Sequence, residues 1–342
     1  MKWEKYFVSE IYKHAIFNAG KARIDIEKLL EKSGYKKLTI DRHTMSFFGK
    51  LNMYFILIKT WLEIKKPAIV YFHFPIRSRI IRIFLYLLQR ANVYTITHTH
   101  DFEGIRGNDP VLLKRELKTL KAFSVIISQN DCMQQRLEYE LDSRNPILPL
   151  GLYDYLIDNS RIQLQRAKTW NIAFAGNLEK ASFISHCKPL KSLKFHIYGS
   201  QKDKTETCEN ITFHGQVHPD HLPFMINGSF GLVWDGAAID TCSGNYGKYL
   251  SYNLPYKLSL YIAAGLPVIT WNRSAVASWV VSNEMGFSIS SLAEIAPAID
   301  NLSEAAYAKW QQNISLIRKL VIEGAYFTSV IRRSEEAILK TL

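Results

Sequence analysis

Apolar and polar positions change period again and again along this chain. The runs "AIVYFHF" (68–74), "NVYTITH" (92–98) and "SVIISQN" (124–130) are short, apolar and β-branched or aromatic, and they read as strands. Between and after them, "RSRIIRIFLYLLQR" (77–90), "PVLLKRELKTLKAF" (110–123) and "DCMQQRLEYEL" (131–141) carry the wider spacing of helices. The segment 150–170 loses any steady period and marks a domain connection. The rhythm then restarts with "NIAFAGNL", "KFHIYGS", "ITFHGQV", "FGLVWDG" and "LPVITW", five short strands that mostly run straight into Gly, Asn or Asp. Strands alternating with helices predict parallel sheets covered by helices, and the restart predicts two α/β domains in tandem. The boundary is set at 155/156, giving domains 1–155 and 156–342.

The longest apolar runs, "MYFILI" and "IIRIFLYLL", are too short to span a bilayer, and the first ten residues lack the apolar core of a signal segment. Four scattered cysteines without a CxxC pair read as reduced thiols of a cytoplasmic protein. His218 and His221 lack metal-site partners at a convincing spacing, so no metal site is expected. A net charge of +12 implies an anionic partner. No compact Lys/Arg tract or nucleic-acid signature accompanies it, which leaves membrane phosphates or a phosphorylated substrate ahead of nucleic acid. The arginine-bearing segment 77–90 reads either as a core helix with solvated arginines or as a helix resting on an anionic membrane surface.

Ligands of parallel α/β domains gather at the carboxyl ends of strands, so those ends hold the candidate chemistry. "NLPYKLSLYIAAGLPVITW" (253–271) sets Asn253 as a helix cap, Pro255 in the first turn and Lys257 where the helix dipole disfavours a cation. Free N–H groups at that start, with the Lys257 ammonium, suit a diphosphate. Alone, the stretch reads more simply as a solvated lysine. Three further ends change the balance: Gly176 with Lys180 in "AGNLEK", Tyr198 with Gly199 in "IYGS", and Asp235 with Gly236 in "WDG". Together they point to a nucleotide diphosphate. In the first half, "THTHDFEGIRG" gathers His98, His100, Asp101, Glu103 and Arg106 at one strand end. Asp101 is the favoured general base, with Glu103 and His100 behind it; equally, Asp101 caps the next segment and the histidines pack locally. Gly20 and Lys21 lie in "NAGKARID", read as a loop toward the diphosphate or acceptor, with Asp25 paired to a nearby cation.

The block "WDGAAIDTCSGNYGKYLSYNLPYKLSLYIAAGLPVIT" resembles the C-terminal signature of a bacterial glycosyltransferase family. That family includes β-1,6-galactofuranosyltransferases of surface polysaccharides and glucosyltransferases that extend sugars on serine-rich adhesins. "GKARIDIEKLL", "HDFEGIR", "YDYL" and "FAGNL" extend the likeness along nearly the whole chain. The chain departs from the family at His73-Phe74-Pro75, where relatives often carry Gln-Tyr-Pro, and at Gln129-Asn130 in place of His-Asn.

The resemblance implies a GT-B fold, two Rossmann-like domains facing across a cleft, with C-terminal helices crossing back. It implies a UDP-hexose donor of galactofuranose or glucose, no cofactor and no essential metal, with the donor mainly on the second domain. Lys257 and the Asn253 helix start would hold the diphosphate, with Lys180 assisting; Tyr198 and Gly199 would face the uracil, and Asp235 and Gly236 the sugar or ribose. The acceptor would be a lipid-linked or protein-linked bacterial surface glycan, the reaction inverting, and the location cytoplasmic or peripheral at the inner membrane face. Relatives of this kind are often multimeric. A sugar-nucleotide epimerase and a non-catalytic partner subunit are the alternatives.

Overall fold

The computed structural model describes residues 3–11, 20–41, 47–89, 92–142, 145–158, 166–200 and 208–340. It divides into two units, Met1–Gly151 with Tyr326–Leu342, and Leu152–Ala325. The first unit runs β1 (Glu4–Ile11), α1 (Gly20–Lys32), β2 (Lys36–Asp41), α2 (Phe47–Glu63), β3 (Ala68–Phe74), α3 (Arg79–Gln89), β4 (Val93–Thr99), α4 (Glu103–Gly107), α5 (Pro110–Leu120), β5 (Val125–Ser128), α6 (Asp131–Leu141) and β6 (Ile147–Pro149). The second runs β7 (Asn171–Ala175), β8 (Lys194–Tyr198), β9 (Ile211–Gly215), α7 (Leu222–Met225), β10 (Phe230–Val233), α8 (Gly244–Tyr249), α9 (Tyr256–Ala263), β11 (Val268–Trp271), α10 (Ala277–Ser282), β12 (Gly286–Ile289), α11 (Ile295–Asp300) and α12 (Glu304–Glu323). The last helix, α13 (Ala325–Leu339), lies almost wholly in the first unit.

The first sheet has the order β2-β1-β3-β4-β5-β6, all parallel. The connection β1→β2 runs one way across it, whereas β2→β3 and β3→β4 run the other. Right-handed crossovers therefore set α1 on one face and α2 and α3 on the opposite one. Side chains follow that division because strand residues alternate faces. Phe72 meets Phe84 of α3, while Tyr71 meets Phe327 of α13 edge-on at 5.7 Å. β3 is buried along its whole length, as a strand covered on both faces must be. The last helix is tied down by polar bonds as well: Glu335 accepts from Lys5 at 2.6 Å and Tyr35 at 2.9 Å, and Arg333 donates to the Pro149 carbonyl.

The second sheet has the order β12-β11-β10-β7-β8-β9, again all parallel. From β7 the chain steps to β8, and from β10 it steps the opposite way to β11. The neighbours β7 and β10 are therefore the point where the strand order reverses, the place where open α/β sheets leave a crevice for ligands. α12 packs along α9, and Arg318 donates to the Ala263 carbonyl at 2.8 Å.

The expected boundary at 155/156 moves to just after Gly151. Tyr153 and Tyr155 set their rings against Tyr256, and the Tyr155 hydroxyl donates to the Pro219 carbonyl at 2.7 Å, so both residues belong to the second unit. The C-terminal run splits likewise: α12 stays with the second unit and α13 packs on the first. Of the connection segment 150–170, residues 159–165 lie outside the described residues.

Candidate functional site

At the reversal point of the second sheet, Lys257 is the second residue of α9. Its ammonium donates to Asp235 Oδ1 at 2.7 Å and to the Trp234 carbonyl at 3.1 Å, and stands 4.5 Å over the Phe174 ring. Both charged side chains are largely buried, at 12% and 15% exposure. Asp235 thus offsets the cation that the helix dipole disfavours. An ammonium has three donors, and these two bonds use two of them. Gly176, exposed at the end of β7, lies directly beside: a side chain there would start 3.9 Å from the Lys257 nitrogen. Glycine at this position keeps the approach to the ammonium open.

The N-terminus of α9 carries no side-chain cap. Asn253 does not cap it, because extended Pro255 occupies the cap position and has no side-chain acceptor to offer. Pro255 accordingly stands one place before the first helical turn expected for it. Asn253 belongs instead to the turn after α8, its N–H donating to the Tyr249 carbonyl, and its Oδ1 is buried with no hydrogen-bond partner among the described residues.

Gly236 and Lys180 meet through backbone: the Gly236 N–H donates to the Lys180 carbonyl at 2.9 Å. Gly236 has φ +111°, and a Cβ on it would lie 2.3 Å from the Ser243 carbonyl oxygen, so the turn itself demands glycine. The Lys180 ammonium stands 4.8 Å over the Tyr246 ring of α8. Gly176, Lys180, Asp235, Gly236 and Lys257 are therefore linked by short steps at one end of the sheet.

The Tyr198 ring, expected to face the uracil, is covered. It is buried, its hydroxyl bridges Asn227 N and the Met225 carbonyl, and the exposed ring of His214 stacks on it at 4.6 Å. His214 presents the outer aromatic face there, a residue that strand alternation in "ITFHG" left unremarkable. Gly199 is explained by packing, since a Cβ on it would lie 2.3 Å from the Gly176 carbonyl oxygen.

In the first unit, the strand-end cluster is held by bonds within itself. The register pairs His73 with His98, and the period of two puts His98 and His100 on one face. His73 Nδ1 lies 2.8 Å from His100 Nε2, and the His98 and His100 rings are 4.5 Å apart. Burial, reinforced by the Arg23 guanidinium, pushes the His98 pKa down to about 3 and holds His73 and His100 well below the usual range, so all three are neutral imidazoles. Glu27 reaches the cluster from α1, 3.8 Å from His73 Nε2, and accepts from Ser9 at 2.8 Å. Arg23 and Glu27 are the residues that sequence reading missed. Their signal was the i,i+4 spacing within "GKARIDIEKLL", one helix face aimed at a strand end.

Asp101 pairs through Oδ2 with Arg106 at 3.0 Å and is 40% exposed. Glu103 is engaged by both Arg77 and Arg106. Arg106 is thereby an organiser of two carboxylates. Glu116 caps the start of α4, accepting from Glu103 N and Gly104 N; its carboxyl pKa is raised by burial. A cavity of about 210 Å³ opens here, lined by Phe74, Arg77, Arg82, Glu103 and Arg115 among others. Gly20 and Lys21 are not loop residues. They form the first turn of α1, buried, and the Lys21 ammonium bonds Asp25 at 2.8 Å. The preceding residues 12–19 lie outside the described residues.

The fold is that of the GT-B glycosyltransferases. The Thermosynechococcus elongatus sucrose-phosphate synthase superposes with a TM-score of 0.66 at 10% identity, over 99% of this chain and 100% of that one. The Anabaena protein HepE, in complex with UDP and glucose, superposes with a TM-score of 0.63 at 14% identity over the whole of both chains. Sequence comparison narrows the class. The N-terminal domain of glucosyltransferase 3-like proteins matches residues 5–151 and their C-terminal domain matches residues 172–334, so the chain belongs to the glucosyltransferase 3-like family. It is 28% identical to the β-1,6-galactofuranosyltransferase WbbI of Escherichia coli K12 over 81% of its length and 82% of that protein. It is 24% identical to glucosyltransferase 3 of Streptococcus gordonii over 72% of each chain.

Proposed function

We propose that this glycosyltransferase moves a hexose, galactofuranose or glucose, from a UDP-sugar to a sugar hydroxyl of a bacterial surface glycan or glycoprotein precursor. The observation that carries the reading is the Lys257 ammonium at the uncapped start of α9, bonded to Asp235 and approached across Gly176. When the bond from the anomeric carbon to the diphosphate oxygen breaks, negative charge grows on the departing UDP. A fixed ammonium at the positive end of a helix stabilises that charge, and it does so without a metal in this reading. The names of the galactofuranosyl and glucosyl relatives supply the two candidate sugars.

The acceptor oxygen forms the new bond and its proton passes to a base, for which Asp101 is our choice. Asp101 commits one carboxylate oxygen to Arg106 and keeps exposure, whereas Glu103 is held by two arginines and His100 is committed to His73. An inverting transfer from an α-linked donor would give a β-linkage of the kind in the name of the galactofuranosyl relative. The test is product mass and UDP release with UDP-galactofuranose, UDP-galactopyranose, UDP-glucose and UDP-N-acetylglucosamine, with glucoside and N-acetylglucosaminide acceptors, with and without EDTA. EDTA-resistant, acceptor-dependent UDP release with galactofuranose or glucose is the expected result. A new UDP-sugar in place of UDP would make the protein an epimerase, and donor binding without turnover would make it a partner subunit.

A further inference from the structure

Helices α2 and α3 lie on the same face of the first sheet and pack against each other. α3 buries Ile81, Phe84, Leu85 and Leu88 against the sheet, as an amphipathic helix should. It also carries apolar side chains outward. Ile83, Tyr86 and Leu87 are exposed, and they share one stripe with exposed Arg79 by helical spacing. α2 repeats the arrangement with Phe55, Ile58 and Leu62, which are 67%, 53% and 69% exposed, in one stripe with exposed Lys59. Isolated exposed apolar residues need no explanation, but two adjoining stripes of them do.

The charge around these stripes bears on what could cover them. Lys59, Lys65, Lys66 and Arg79 are exposed on or beside the two helices, with Glu63 the acidic residue among them. Lys66 stands over the Trp61 ring, and Tyr54 and Tyr86 add further aromatic rings with one polar end. Apolar side chains framed by amphipathic aromatics and lysines match the headgroup zone of a bilayer. A second copy of this chain on the same face would bring the lysines and arginines of the two copies together, on a molecule already at +12. We propose that the outer face of α2 and α3 docks on an anionic lipid bilayer, with the apolar stripes entering the headgroup region and the cations pairing with lipid phosphates. No described helix is long and apolar enough to cross a membrane, so the attachment is peripheral at this face. The inference rests on the proposed transfer only for its purpose, delivery of the site to a lipid-linked acceptor.

Flotation of the full chain with vesicles of phosphatidylcholine, alone or mixed with phosphatidylglycerol, tests it. The chain should float with the mixed vesicles, and binding should fall at least about tenfold on pure phosphatidylcholine or in high salt. Phe55→Ser with Leu62→Ser should lose at least about tenfold in binding. Those side chains are exposed, so the variant should keep wild-type turnover on a water-soluble acceptor. Absence of binding to mixed vesicles, or unchanged binding by the variant, would overturn the proposal. So would a dimer, dispersed by the same substitutions, that ignores vesicles. Absence of turnover by the wild-type chain with every soluble acceptor would instead count against the transferase reading and leave vesicle binding standing.

Discussion

His98 shows how a single side chain sets a property of the protein. Its burial as a neutral ring depresses its pKa to about 3, against 6.5 unfolded. The unfolded chain therefore binds more protons between those values, and stability falls as pH drops below 6.5 toward 3. His73 and His100 push in the same direction. Urea midpoints should decline from pH 7 to pH 5, with each such imidazole contributing up to about 1.4 kcal/mol per pH unit; a flat profile would contradict the buried neutral cluster. Gly236 sets a second test. Gly236→Ala forces a side chain onto the Ser243 carbonyl oxygen in a positive-φ turn and should cost about 1–3 kcal/mol or more. Gly107→Ala, with open space at the end of α4, should stay within about 1 kcal/mol of wild type or gain. Thermal melts of the two variants make the comparison.

Among the elements, the proposed donor site rests on the start of α9. Lys257→Met keeps the methylene packing over Phe174 but removes the charge, and turnover should drop about 10²-fold or more if the ammonium meets the departing diphosphate. Because this leaves Asp235 without its cation, the double variant with Asp235→Asn removes the unpaired charge and should recover stability without recovering activity. Initial-rate assays beside melting curves separate the two effects.

The strands that flank this site were legible in the sequence. β7, β8, β10 and β11 are short apolar runs ending in turn residues, which is how buried parallel strands read. β1 and β2 were not: "EKYFVSEI" and "KKLTID" interleave charges that the structure pairs across strands, as Lys36 does with Glu4. β12 is four residues with half-buried middle positions, too weak a pattern to register. The helix start was readable to within one turn, yet its cap was not, because Asn253 and Pro255 compete for one role and only the backbone decides. The burial of the Tyr198 ring was not legible, because an aromatic beside a glycine looks the same in sequence whether its ring faces solvent or lies under His214.

For the whole molecule, the proposed transfer divides its labour between two sheets of the same parallel kind. The second brings Gly176, Asp235 and Lys257 to the point where its strand order reverses, and the first carries the Asp101, Glu103 and His100 cluster at its own strand ends. Such a division was visible as a rhythm that stops near residue 150 and restarts near 171, whereas the return of α13 to the first unit has no counterpart in local pattern. A calorimetric titration of UDP into the full chain and its Lys257→Met variant puts the donor site to the test. Wild type should bind at one site per chain, and the variant should bind at least about tenfold more weakly, the worth of one charge-assisted hydrogen bond. Equal affinity in the two proteins would remove Lys257, and with it the start of α9, from the donor site.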